Sequence, residues 1–276
     1  MDRHPEEAAP GSPSRERDGV PRKRPSRRMA ALDWLTARPA AHRGLHDSAA
    51  VENTPTAFSA AIAVGYAIEC DLQITADGEA VVYHDDALGR LTEGSGRLAA
   101  MTAAELKRVP FKATADRIVT LGELLDLVAG RATLLIELKS HGDGDRRLAQ
   151  RAAHVLGSYG GPAALMSFDP FQVATAHAAA PALVRGIVAE RVRGRAGDGF
   201  APRLRRSAAY LADLARSRPQ FVAYSVADLP ALPPLLARRV LGLPLLTWTV
   251  RTAADRAKAA KWADQIIFEG WRPYFP

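Results

Sequence analysis

Eight short apolar runs, spaced by segments of helical periodicity, constrain this chain most. The runs are Ala40–Gly44, Ala67–Ile74, Thr133–Lys139, Ala163–Phe168, Leu183–Ala189, Phe221–Val226, Leu245–Val250 and Gln265–Phe268. Between them lie stretches such as "TPTAFSAAIAVG", "TLGELLDLVAG" and "TAADRAKAAKWA", most with apolar residues three or four apart. A run of four to eight apolar residues is strand length, and the three-to-four spacing marks one face of a helix. Strands alternating with helices predict a parallel sheet. Eight such units in roughly 240 residues predict a (β/α)8 TIM barrel. A doubly wound open sheet is the competing fold, but neither a GxGxxG nor a Walker-type loop supports it.

Two intervals break the rhythm. From His84 to about Ile118 the chain is too long for a plain connection. We read about 85–118 as a small insertion after the second strand unit, at the barrel rim, with "MTAAELKRV" as a short helix. The stretch 190–206, "ERVRGRAGDGFAPRLRR", is a long basic loop. The barrel domain then runs from 37 to 276. Residues 1–28 carry 8 Lys/Arg and 5 Asp/Glu without apolar periodicity, and read as a disordered basic tail. Met29 opens "MAALDW" just before the first periodic segment, so a translation start there is a second account of the tail.

Composition limits the function classes. The net charge is +7, of which the tail holds +3. The folded part therefore has a mild basic excess, which suits an anionic small molecule and does not require nucleic acid. No run approaches the eighteen or so apolar residues of a membrane span. One cysteine excludes an internal disulfide and fits a cytoplasmic protein.

Barrel active sites lie at the carboxyl ends of the strands. The polar residues expected there are His42 and Arg43, Glu69 and Asp71, His84, Glu137 and Lys139, and Trp248. Glu69 and Asp71 stand two apart in the apolar run "YAIECDLQI", so both face the interior while Cys70 packs outward. Glu137 and Lys139 repeat that spacing in "IELK". Three converging carboxylates cannot all ionise unaided; an oxygen-only set suits Mg2+ or Ca2+. The bland alternative is a structural network paired with Arg43 and Lys139. His42 and His84 suit proton transfer, and Arg43 with Lys139 suits a phosphate oxyanion. Trp248 is placed to line a substrate pocket or to pack beneath the rim. Ser167 is a weaker pocket candidate, and His46, His141, His154 and His177 have no evident companion ligands.

The motifs "AHRG" (41–44), "ENTPTAF" (52–58), "ECD" (69–71), "DGEAVVYHD" (77–85), "TLGELL" (120–125), "IELK" (136–139), "WTV" (248–250) and "ADQII" (263–267) occur in one order. In this respect the chain resembles the glycerophosphodiester phosphodiesterase family. The resemblance implies a TIM barrel, a divalent metal held by Glu69, Asp71 and Glu137, and an acid/base pair of His42 and His84. It also implies phosphate contacts from Arg43 and Lys139, with Glu52 as a metal ligand or as an orienting neighbour. The implied reaction cleaves a glycerophosphodiester to glycerol 3-phosphate and an alcohol, by way of a cyclic phosphate in the case where the substrate's own hydroxyl attacks. The departure is Phe268-Glu269, where many members carry Thr-Asp. The alternatives are a lysophospholipase D-like hydrolase on the same fold, a metal-dependent barrel enzyme on a non-phosphorylated substrate, and a catalytically silent binder of anionic ligands or nucleic acid.

Overall fold

The computed structural model describes residues 32–191 and 215–275. The basic tail and nearly all of the second basic loop lie outside the described residues. Nine strands form one sheet: β1 (Ala40–Ala41), β2 (Ala67–Ile74), β3 (Ala80–Val82), β4 (Leu134–Leu138), β5 (Ala163–Ser167), β6 (Val184–Ala189), β7 (Phe221–Ser225), β8 (Leu245–Val250) and β9 (Gln265–Phe268). All but β3 are parallel, and β1 pairs with both β2 and β9, which closes an eight-stranded barrel. The expected (β/α)8 fold is the observed one. β3 is the exception; it folds back antiparallel on β2 through Leu72–Val82 to Ile74–Ala80.

Period-two alternation divides every barrel strand between two cores. One face points inward: Ala40, Ala67, Leu135, Met166, Val188, Phe221, Ala223, Leu246 and Ile267 form a buried cluster. The helix Asp33–Thr36 precedes β1 and closes the amino-terminal end of the barrel, packing Leu35 and Trp34 against that cluster. The other face meets the helices, as with Ile68, Cys70 and Leu72 on β2. Cys70 is free and buried there. Gly186 on β6 makes room for the Phe221 ring, since a Cβ at that position would lie 2.4 Å from it.

Helix entry is set by local chemistry. Thr102, Thr120 and Thr252 each cap a helix reciprocally with the acid three residues on, Glu105, Glu123 and Asp255. Such caps contribute about 0.5–2 kcal/mol each. The interval after β3 has a core of its own: Val81, Tyr83, Leu88, Leu98, Leu106, Phe111 and Ile118 are buried together. Backbone pairs Ala87–Arg97 and Thr92–Phe111 knit this segment, and Ala103–Leu106 is its short helix.

Candidate active site

Three inward positions of β2 show how the strand builds the site. Ala67 belongs to the apolar interior, and Glu69 and Asp71 follow on the same face. Parallel pairing sets Asp71 beside Glu137 of β4. Glu69, Asp71 and Glu137 are 2%, 1% and 9% exposed, and one oxygen from each lies within 4.8 Å of the others. Burial first, then the charges of Asp71 and Glu137, push the Glu69 carboxyl well above the usual range. Glu137 shifts the same way, from burial and then Asp71. Asp71 is held low despite its burial, by Lys139 and Arg43. A buried, oxygen-only set with two carboxyls this reluctant to ionise fits a divalent cation, whose charge would relieve the repulsion.

Two cations flank the trio. Lys139 Nζ lies 2.8 Å from Asp71 Oδ1 and 2.6 Å from Glu137 Oε1. Arg43 donates its backbone N–H to Glu69 Oε2 at 3.0 Å and Nη1 to Glu52 Oε1 at 2.7 Å, and its Nε stands 3.2 Å from Asp71 Oδ2. Arg43 adopts a left-handed backbone, φ 57°, uncommon for a residue with a side chain. The turn is stabilised by Gly44, whose φ of 82° and close approach to Ala57 leave no space for a Cβ. Asn53 is a further buried member: its Nδ2 donates to Asp71 Oδ2 at 2.8 Å.

His42 and His84 are each backed by a carboxylate, and each of those carboxylates by an arginine. His42 Nδ1 is 2.7 Å from Glu269 Oε2, which also accepts from Arg251 Nη2 at 2.7 Å. His84 Nδ1 is 2.8 Å from Asp85 Oδ1, and Arg90 Nε donates to Asp85 Oδ2 at 2.6 Å. Arg90 also reaches Glu52 through Nη2 at 2.7 Å, tying the two networks together. Burial lowers the His42 pKa, while the hydrogen bond from His42, with that from Arg251, holds Glu269 at about 2. His42 Nε2 faces the trio, 3.9 Å from Glu69 Oε2.

The remaining expectations resolve differently. Glu52 sits on the guanidinium groups of Arg43 and Arg90. Trp248 packs against the interior cluster and meets Phe168 edge-on at 5.5 Å between centroids; its Nε1 is buried and has no hydrogen-bond partner among the described residues. Ser167 is spent on the backbone, donating to the Leu138 carbonyl at 2.6 Å. His46, to which the sequence assigns no companion, lies beside His42 and Glu269. Sequence reasoning also missed Asp85, Arg90, Arg251 and Asn53, and saw Glu269 only as a departure from a motif. Asp85 was readable as the neighbour of His84. Nothing local links His42 to a residue 227 positions away.

These features define a class: a (β/α)8 barrel whose mouth concentrates carboxylate-paired histidines and a buried group of carboxylates that could hold a metal ion. The sequence model of the Glycerophosphoryl diester phosphodiesterase family matches residues 42–270, and the chain belongs to that family. A glycerophosphodiester phosphodiesterase of Caldanaerobacter subterraneus subsp. tengcongensis is 40% identical over 109 residues, 36% of this chain and 44% of that protein. Glycerophosphodiester phosphodiesterase 1 of Rattus norvegicus is 33% identical over 135 residues, 45% of this chain and 40% of the relative. The chain thus spans less than half the length of the curated relatives it matches. Among solved structures, an Oleispira antarctica phosphodiesterase in complex with the product sn-glycerol-3-phosphate aligns with TM-score 0.70 at 22% identity. That alignment covers 85% of this chain and 94% of the other, and the likeness is one of fold.

Proposed function

We propose that this protein hydrolyses glycerophosphodiesters to glycerol 3-phosphate and an alcohol. One observation carries the reading: two carboxylate-backed histidines occupy the barrel mouth that holds the buried Glu69–Asp71–Glu137 group. Family membership and the product bound in the Oleispira antarctica protein support it.

Glu69, Asp71 and Glu137 would hold Mg2+ or Ca2+, and the bound ion would supply Lewis acidity toward a phosphoryl oxygen. Arg43 and Lys139 bind the phosphate. Arg43 Nη2 donates to nothing among the described residues, and Lys139 Nζ, with two carboxylate contacts, has a third donor to give. Glu269 fixes the His42 tautomer with the proton on Nδ1, leaving a lone pair on Nε2. Burial keeps that ring neutral, so His42 takes the proton from the attacking glycerol hydroxyl. Oxygen then bonds to phosphorus as the bond to the departing alkoxide breaks. His84, oriented by Asp85, delivers a proton to that alkoxide. Water opens the resulting cyclic phosphate with the roles reversed. Glu52 and Arg90 position Arg43 and Asp85. The exposed Phe168 ring, in edge-on contact with Trp248, would offer the departing alcohol an apolar surface. A small-molecule partner suffices; no described helix is long and apolar enough to cross a membrane, and the single buried thiol is consistent with a cytoplasmic setting.

The test is a metal-by-substrate panel on purified protein: glycerophosphocholine, glycerophosphoethanolamine, glycerophosphoglycerol and lysophosphatidylcholine, each with Mg2+, Ca2+ or chelator. Release of glycerol 3-phosphate that stops in chelator is expected. Choline release from lysophosphatidylcholine alone would overturn the substrate assignment in favour of the lysophospholipase D reading.

A further inference from the structure

His46 has no part in the reaction above, yet it stands in the wall of the same mouth. The turn that carries Arg43 and Gly44 continues directly into it, with the His46 amide bonded to the Gly44 carbonyl at 3.0 Å. A ring nitrogen of His46, a ring nitrogen of His42 and a carboxylate oxygen of Glu269 all lie within 4.8 Å of one another. His46 Nε2 is shut off from solvent and has no hydrogen-bond partner among the described residues. A buried imidazole nitrogen without a partner costs free energy, and a ring nitrogen carrying a lone pair is a metal ligand. The third group is also available: both hydrogen bonds to Glu269 fall on Oε2, and Oε1 accepts none among the described residues.

We propose that His42, His46 and Glu269 form a second metal site, selective for a borderline cation such as Zn2+, and that occupying it switches the enzyme off. Two imidazoles and one carboxylate are a donor set for Zn2+ rather than for Mg2+ or Ca2+, which prefer oxygen. The set is therefore chemically distinct from the all-carboxylate trio, and one site can fill without the other. Inhibition follows from the tautomer. Zn2+ takes the lone pair of His42 Nδ1, the nitrogen now 2.7 Å from Glu269. The proton on Nδ1 moves to Nε2, with no net release. Nε2 then carries hydrogen and faces the trio as a donor, so it can no longer accept a proton. The binding claim stands alone; the inhibition claim rests on His42 acting as the base.

The experiment separates the two. Zn2+ is titrated by calorimetry, and Co2+ by its visible absorption, into full-length protein carrying Glu69→Gln and Glu137→Gln, so that the trio is disabled. One equivalent of Zn2+ is expected to bind, with at least about 10-fold weaker affinity when His46→Ala is added. The variant His46→Cys, which restores a ligand, should recover the affinity and covers the case in which alanine unfolds the turn. In otherwise wild-type protein with excess Mg2+, Zn2+ should inhibit, and His46→Ala should raise the inhibitory concentration about 10-fold while leaving uninhibited turnover unchanged. Zn2+ affinity indifferent to His46, or lost with the trio, overturns the site. Zn2+ binding that needs His46 but leaves turnover intact overturns the switch. A protein without phosphodiesterase activity would leave the calorimetric and spectroscopic arms to decide the site.

Discussion

The two halves of the barrel wall share a backbone plan and differ in what they put inside. β1, β2 and β4, with their following loops, contribute His42, Arg43, Glu69, Asp71, Glu137 and Lys139. β5 to β8 contribute Met166, Val188, Phe221, Ala223, Leu246 and Trp248. The first half is a network of paired ions that destabilises its own carboxylates; the second is packed hydrocarbon. Charges can be buried in the first half because backbone amides, Asn53 and two cations surround them. The second half keeps water out and fixes the shape. Rigidity and reactivity are thus divided between opposite sides of one closed sheet.

The most severe way to break that division is to remove charge from the first half. Glu69→Gln is expected to lower kcat by about 10^3-fold or more. It should also raise, not lower, the melting temperature measured in chelator, because it removes a carboxyl whose ionisation is opposed by burial, Asp71 and Glu137. Turnover and thermal unfolding on one sample check both. Next comes Arg90→Ala, which frees Asp85 and Glu52 together. A drop in kcat of about 10-fold is expected, with a changed pH–rate profile, since His84 loses its brace. Half-exposed ion pairs contribute only about 0–1 kcal/mol, so the unfolding curve should barely move.

The second half predicts the reverse. Gly186→Ala forces a Cβ against the Phe221 ring and should cost about 1–3 kcal/mol of stability in a urea titration. Turnover per folded molecule should remain near wild type. If it falls as far as in Glu69→Gln, the division of labour is wrong. The smallest effect is in acid. Glu269 is held at about 2 against an ordinary value of 4.5. In that window the unfolded chain binds the extra proton, so the stability Glu269 contributes is complete above the ordinary value and is lost as pH falls toward 2. The stability gap between wild type and Glu269→Gln should therefore narrow over that range, as read by denaturant titration at stepped pH.

How much of this was legible follows the same split. Barrel strands announce themselves locally, because eight apolar runs with period-two faces need no distant information. Glu69, Asp71, Glu137 and Lys139 could be placed on one face from spacing alone. The partners of the histidines could not. Glu269 reaches His42 only because β9 closes on β1, and Arg90 acts from the segment after β3, whose path spacing does not reveal. His46 looked idle for the same reason. Ser167, attractive at a strand end, is bound to the Leu138 carbonyl; the sequence carries no sign of that bond.

The segment between β3 and the helix Leu121–Val128 supplies six of the seven residues of a separate buried cluster, the seventh being Val81 of β3. A piece of chain with a private core does not fray open like a flap. Its amides at Leu88 and Lys112, bonded to Gly96 and Leu91 carbonyls, should exchange with deuterium nearly as slowly as those of β2. Substrate would then enter past a fixed rampart, and the pace of turnover would be set by the chemistry at the two histidines rather than by a door.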